Sequence, residues 1–287
     1  MSRRVLALLG VLLLVVAACS NGGSSAGPSS AASSTPVAPS AAPASASAPV
    51  ASELTIFGAA SLKGVLDKAK TAYEAANPGT TLTISTDSSA ALETQIEQGA
   101  PVDVFLSADT KNPQKLVDAS LAAGVAIPFA GNLLTVIVPA DNPASIASPK
   151  DLAKASVKII AAGDEVPITK YATQLVGNLA KESGYPADFA AAYAKNVVSK
   201  EDNVKAVVSK VELGEGDAGI VYVTDAKASD KVKTVDVPAT ANVPATYAGV
   251  LVKASKDAAA AQAFLDWLTG PDGQAILSDF GFLPASS

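Results

Sequence analysis

The sequence has no histidine and a single cysteine among its 287 residues, and 21 lysines and arginines against 27 aspartates and glutamates. The missing imidazole removes the commonest general base and metal ligand. The lone thiol, Cys19, has no disulfide partner within the chain. A net charge of −6 argues against nucleic acid, whose binders carry basic surfaces that neutralise phosphates. No Gly-Lys-Ser/Thr phosphate loop, no Gly-x-Gly-x-x-Gly fingerprint and no repeat of solenoid length occurs, so nucleotide binding is unsupported. Glu201 and Asp202 have no histidine, second cysteine or nucleophile to work with, and read as first-turn helix charges rather than catalytic carboxylates.

What is present begins with two segments that do not belong to a core. Ser2-Arg3-Arg4, the apolar run Val5 to Ala18 and Cys19 follow the order of an export signal: positive, apolar, then a small-residue cleavage site. The run is shorter than the roughly 20 apolar residues a membrane-spanning helix needs. Val16-Ala17-Ala18-Cys19 resembles the bacterial lipobox, which implies residues 1–19 as a lipoprotein signal and Cys19 as a lipidated amino terminus. Residues 20–52, almost wholly Ser, Ala, Pro and Gly, cannot bury enough apolar surface to fold and read as a disordered tether with a reach of roughly 30 Å. Residues 53–287 are long enough for one large domain or two lobes.

Within that part, strand and helix periods alternate. Leu54 to Ala59, Thr81 to Ser85, Val102 to Ser107, Leu133 to Pro139, Val157 to Ala161, Ala218 to Thr224, Val232 to Val237 and Tyr247 to Lys253 read as strands. Helical spacing follows Leu62, Leu92, Pro149, Tyr171, Val204, Ala258 and Asp272. Such alternation predicts an α/β fold with mainly parallel sheets, whose ligands gather at strand carboxyl ends and helix amino ends. Eight strands are many for one sheet, so the runs near Leu133 and Tyr247 read as crossovers between two lobes.

Two strand-to-helix junctions carry hydroxyls. Ser61 opens the first helix, and Thr86-Asp87-Ser88-Ser89 opens the second, each beside unpaired backbone N–H groups that attract anions. From position alone, ordinary N-capping is the better account of these serines, and a solvent-facing turn or capping role suits Asp87.

Several segments in order resemble the periplasmic molybdate-binding proteins: Gly58-Ala-Ala-Ser-Leu62, Gly99-Ala-Pro-Val-Asp-Val-Phe-Leu-Ser-Ala-Asp109, Gly163-Asp-Glu-Val-Pro167, Glu201-Asp-Asn-Val204, Gly219-Ile-Val-Tyr-Val-Thr-Asp225 and Gly270-Pro-Asp-Gly-Gln-Ala-Ile-Leu277. The resemblance runs from Leu54 to Phe282. It implies a type II periplasmic binding fold, with residues 53–135 and 249–287 in one lobe, 136–248 in the other, and a ligand cleft between. It also implies a molybdate or tungstate site made by Ser61 and Ser89 from the first lobe, Ile168 and Val204 through backbone N–H groups from the second, and the phenol of Tyr222. Tyr222 read alone is better explained as a core strand aromatic. Ile168 departs from the small residue common after Val-Pro in that family, which leaves a backbone donor but alters the pocket wall.

The function so implied is that of a monomeric, exported, lipid-anchored protein that hands an oxyanion to the membrane permease of an ABC importer, without cofactor, direct metal ligand or enzymatic activity. Molybdate and sulfate carry no proton at neutral pH, so their oxygens only accept, and hydroxyls and amides supply donors without a buried cation. Three other functions fit the residues less well: a sulfate, thiosulfate or phosphate carrier, a secreted hydrolase with an oxyanion hole, and a structural surface lipoprotein.

Overall fold

A computed structural model describes residues 52–285. The export signal, Cys19 and residues 20–51 of the expected tether lie outside the described residues. Ser52, expected to end the tether, instead opens the first strand and donates a hydrogen bond to Asp257 at 2.6 Å.

The elements run in the order β1 (Ser52–Ala59), α1 (Lys63–Ala76), β2 (Thr80–Asp87), α2 (Ser89–Glu97), β3 (Val104–Ser107), α3 (Lys111–Asp118), β4 (Ile127–Asn132) and β5 (Leu134–Pro139). They continue with β6 (Ile159–Ala162), α4 (Pro167–Leu179), α5 (Phe189–Asn196), β7 (Val197–Glu201), α6 (Val204–Glu212), β8 (Ala218–Tyr222), α7 (Val223–Lys227), β9 (Val232–Val235), β10 (Ala245–Leu251), α8 (Ala258–Thr269) and α9 (Pro271–Asp279). The helix expected over Pro149 to Lys154 is a 3-10 turn, Pro149–Ala153, opened by a Ser148/Asp151 capping box.

These strands form two five-stranded sheets, β2-β1-β3-β10-β4 and β7-β6-β8-β5-β9. The expectation of mainly parallel sheets is corrected by the pairing. In the first sheet β1 runs parallel to β2 and β3, while β10 runs antiparallel to β3 and β4. In the second, β6 runs parallel to β7 and β8, while β5 runs antiparallel to β8 and β9. The antiparallel members are the strands that arrive from the opposite sheet, and such an arrival does not need the helical crossover that makes neighbours parallel. Sheet membership changes between Asn132 and Leu134 and again between Val235 and Ala245, so the limits expected at 135/136 and 248/249 fall inside β5 and β10.

Strand periodicity sorts the first core. Leu54, Ile56, Val104 and Leu106 pack with Val65, Leu66 and Tyr73 of α1, whereas Phe57 and Phe105, one residue out of phase, pack with Leu92, Ile96 and Leu116 of α2 and α3. In the second lobe α6 lies close on β8 because position 219 is glycine. A Cβ there would stand 2.9 Å from a methyl of Val207 and 3.1 Å from the carbonyl of Ile160. That approach sets Val204, at the start of α6, and Tyr222, at the end of β8, on the same side of the lobe.

Candidate functional site

The carboxyl ends of β1, β2, β6 and β7 feed the amino ends of the 3-10 turn before α1 and of α2, α4 and α6. One small cavity lies among them, and Ser61, Ser89, Ile168, Val204 and Tyr222 all line it. Among the described residues no Lys, Arg, Asp or Glu lines this cavity. All five residues named from the sequence therefore meet in one place.

Local sequence dictates which donors are left over. In the first turn of a helix the N–H groups have no intrahelical acceptor. Ser88 caps α2 by accepting the Ala91 N–H, and Asn203 caps α6 by accepting the Ala206 N–H at 3.1 Å. Both caps serve the third residue of the turn and leave the N–H groups of Ser89 and Val204 at the lip of the cavity. In α4 the first position is Pro167, which suits a helix start and has no N–H, so Ile168 supplies the first donor. Partial positive charge accumulates at such ends, equivalent to roughly half an elementary charge per helix.

Capping does not explain the two serines. Ser61 makes no capping bond, and its Oγ lies 2.9 Å from the hydroxyl of Tyr247. Ser89 is the first helical residue rather than the cap, and its Oγ accepts the Ala108 N–H at 3.0 Å. Nor is Tyr222 a plain core aromatic. It is 1% exposed, lies edge-on to Tyr247 and Tyr171, and its hydroxyl has no hydrogen-bond partner among the described residues. A buried, unpaired hydroxyl costs about 1–3 kcal/mol, so its position calls for a ligand that supplies the partner.

Burial holds the surrounding phenols neutral. The Tyr222 hydroxyl is pushed well above the usual tyrosine range, chiefly by desolvation and then by Tyr247. Tyr171 is pushed up to about 12 by burial, with Asp109 adding to it. Asp225, fully buried just past Tyr222, is shifted upward by burial and held back by Lys205. The Lys205 Nζ stands 3.0 Å from Asp225 Oδ1, an ion pair that offsets part of the burial cost.

Asp87 and Glu201 have structural partners. Asp87 is half-buried; its Oδ1 accepts the Ser88 N–H at 2.7 Å and, across the cleft, the Asn203 amide at 3.0 Å. This bond ties the end of β2 to the cap of α6, a role that an exposed turn residue would not have. Glu201 pairs with Lys210 at 2.9 Å and is removed from the cavity lining. Sequence reasoning missed Ala59, Ala60, Ala108 and Asn203 as lining residues. It also missed Asn132 and Tyr247 behind the site, whose separation of 115 residues leaves no local signal.

A family model described as bacterial extracellular solute-binding protein matches residues 54–283. The molybdate-binding protein ModA of Mycobacterium tuberculosis is 34% identical over 233 residues, covering 81% of this chain and 85% of that protein. A putative ABC transporter substrate-binding lipoprotein, YvgL, of Bacillus subtilis is 31% identical over 231 residues, covering 80% and 85%. The solved structure of the periplasmic molybdate-binding protein of Azotobacter vinelandii superposes with a TM-score of 0.69 at 27% identity, covering 81% of this chain and 100% of that one. The two sheets with their crossover strands are thus the type II periplasmic binding fold. The chain belongs to the bacterial extracellular solute-binding proteins, alongside the periplasmic molybdate-binding proteins, a family that carries solutes and does not transform them.

Proposed function

We propose that this protein captures molybdate, and tungstate with it, outside the cytoplasm and delivers it to the permease of an ABC importer. The observation that carries the reading is the Tyr222 hydroxyl, buried without a partner among the described residues in a cavity whose polar lining also includes the hydroxyls and first-turn N–H groups of Ser61, Ser89, Ile168 and Val204, beside the capping residues Ser88 and Asn203. A tetrahedral dianion satisfies every one of those donors at once and needs no acceptor in return. Helix amino ends offset its charge without a buried cation, which would be costly in the empty protein. The names of the relatives, molybdate-binding in two of three, point to the same cargo.

Anchoring through Cys19, as a monomer joined to the anchor by the Ser/Ala/Pro-rich segment, is part of this proposal. It rests on the lipobox-like Val16-Ala17-Ala18-Cys19 and on the lipoprotein named among the relatives. Mass spectrometry of the membrane fraction, with and without Cys19→Ala, tests it: a diacylglyceryl mass lost in the variant supports anchoring, and an unmodified Cys19 refutes it.

Calorimetric titration with molybdate, tungstate, sulfate and phosphate tests the cargo. Tight binding of the first two, with weak sulfate and negligible phosphate, is expected. Tight sulfate with no molybdate would replace the cargo while keeping the site.

A further inference from the structure

Behind Ser61 runs a chain of buried polar groups that the binding site itself does not need for contact. Asn132 is 1% exposed and sits at the end of β4; its Nδ2 donates to Thr224 Oγ1 at 2.8 Å and to the Tyr247 hydroxyl at 3.4 Å. Its Oδ1 accepts the Leu133 N–H at 3.0 Å, which fixes which way the amide faces. Tyr247 is fully buried, and its ring is packed edge-on by Phe129, Tyr222 and Phe282 at centroid distances of 6.2, 5.5 and 5.4 Å.

Hydrogen counting then sets a direction. The Tyr247 oxygen receives the Asn132 amide, and among the described residues the other hydrogen-bond partner of the Tyr247 hydroxyl is Ser61 Oγ at 2.9 Å, the acceptor for its hydrogen. Donation the other way would leave the Tyr247 hydrogen buried and unpaired, a cost of about 1–3 kcal/mol. With its oxygen occupied from behind, Ser61 has its own hydrogen free for the cavity. Ser89 is treated alike, since the Ala108 N–H occupies its Oγ.

We propose that Asn132 and Tyr247 are positioning residues that lock Ser61 as a proton donor, and that this lock excludes oxyanions which still carry a proton. The proposal rests on the oxyanion reading of the site and names the residues that set its specificity. A hydrogen phosphate ion has the shape and charge of sulfate but one P–OH group that requires an acceptor. In this cavity, lined by no carboxylate, the natural acceptors are three serine oxygens, and each already receives a hydrogen bond: Ser61 from Tyr247, Ser88 from the Ala91 N–H and Ser89 from the Ala108 N–H.

The test compares sulfate with phosphate by calorimetry at about pH 8, where both ligands are dianions, so that charge and size cancel in the ratio. Tyr247→Phe removes the donor to Ser61. Asn132→Asp is isosteric but accepts where the amide donated, which turns the Tyr247 hydrogen away and makes Ser61 donate backwards. In both variants molybdate and sulfate affinity should fall several-fold while phosphate binding holds or improves, narrowing the sulfate-to-phosphate ratio by tenfold or more. Asn132→Asp reads the same ratio if Tyr247→Phe does not fold, with thermal melts as the check.

Equal losses for both ligands in a folded variant would mean that these residues only support the wall, and would overturn the proposal. If the wild-type protein bound none of molybdate, tungstate and sulfate, the cargo reading would fall first and the lock with it. If the wild type binds them and the ratio stays put in the variants, the lock alone falls.

Discussion

Removing the Tyr222 hydroxyl should weaken ligand binding and at the same time leave the empty protein at least as stable. In the unliganded chain that oxygen is buried without a partner, so Tyr222→Phe deletes an uncompensated polar group whose burial costs about 1–3 kcal/mol. The ring remains where Tyr171 and Tyr247 hold it, at centroid distances of 6.4 and 5.5 Å, so no cavity of ring size opens. Melting temperature should therefore hold or rise, by roughly 2–4 °C for each kcal/mol in a domain of this size. With molybdate bound, the variant loses a hydrogen bond to a charged group, about 1.5–3 kcal/mol, or about 10- to 150-fold in Kd. Calorimetry reads the affinity, and melts with and without molybdate read both signs, because ligand stabilisation scales with the logarithm of ligand concentration over Kd. A variant with unchanged affinity would remove Tyr222 from the site. A variant destabilised when empty would show that the hydroxyl has a partner after all.

Other outcomes follow from the same geometry. Asn203→Ala strips the cap of α6 and the bridge to Asp87, so denaturant stability should drop by about 1 kcal/mol and molybdate should dissociate faster in stopped-flow displacement; an unchanged off-rate would deny the bridge a part in closure. Gly219→Ala forces a Cβ to 2.9 Å from Val207, which should cost about 1–3 kcal/mol in urea unfolding; a neutral result would mean that α6 shifts freely on β8. Tyr171, Tyr222 and Tyr247 have folded-state pKa values raised above the unfolded value near 10. The folded state then holds more protons, so the stability these groups contribute is complete below about pH 10 and is lost as pH rises towards the Tyr171 value of about 12. Tyrosinate absorbance should appear together with unfolding; ionisation of these buried phenols in a still-folded protein would contradict their burial. Because no histidine is present and the lining carries no carboxylate, molybdate affinity should stay flat between about pH 6 and 9, and a titration step in that window would implicate a group outside the site described.

Much of this arrangement is written locally. The apolar runs of β1, β5, β8 and β10 and the helical spacing of α1, α6 and α8 are periodic enough to read directly, and Ser61 and Ser89 stand at junctions where a strand gives way to a helix. The elements that escaped have weak patterns for physical reasons. Ile127-Pro128-Phe129-Ala130-Gly131-Asn132 carries a proline and a glycine yet forms β4, because pairing with β10 and the bridge from Gly131 to Leu283 hold it. Val197 to Glu201 forms β7 at a sheet edge, half-exposed and short, paired only with β6. Sheet polarity was misread because it depends on where β5 and β10 cross, a property of tertiary docking rather than of either strand. The donors contributed by Ile168 and Val204 came from likeness to a family, since a backbone N–H has no side-chain signature. The polar chain through Asn132 and Tyr247 joins β4 to β10 and is visible only once the strands are paired.

The central claim is that a doubly charged tetrahedral ion sits among uncharged donors drawn from both lobes. A crystal structure of the protein grown with molybdate, with the metal located by its anomalous signal, tests it most directly. The account expects one peak in the cavity bounded by α2, α4 and α6, with the hydroxyls of Ser61, Ser89 and Tyr222 and the N–H groups of Ile168 and Val204 about 2.6–3.2 Å from its oxygens. A peak elsewhere, or one in the cavity whose oxygens leave the Tyr222 hydroxyl unpaired, would contradict it.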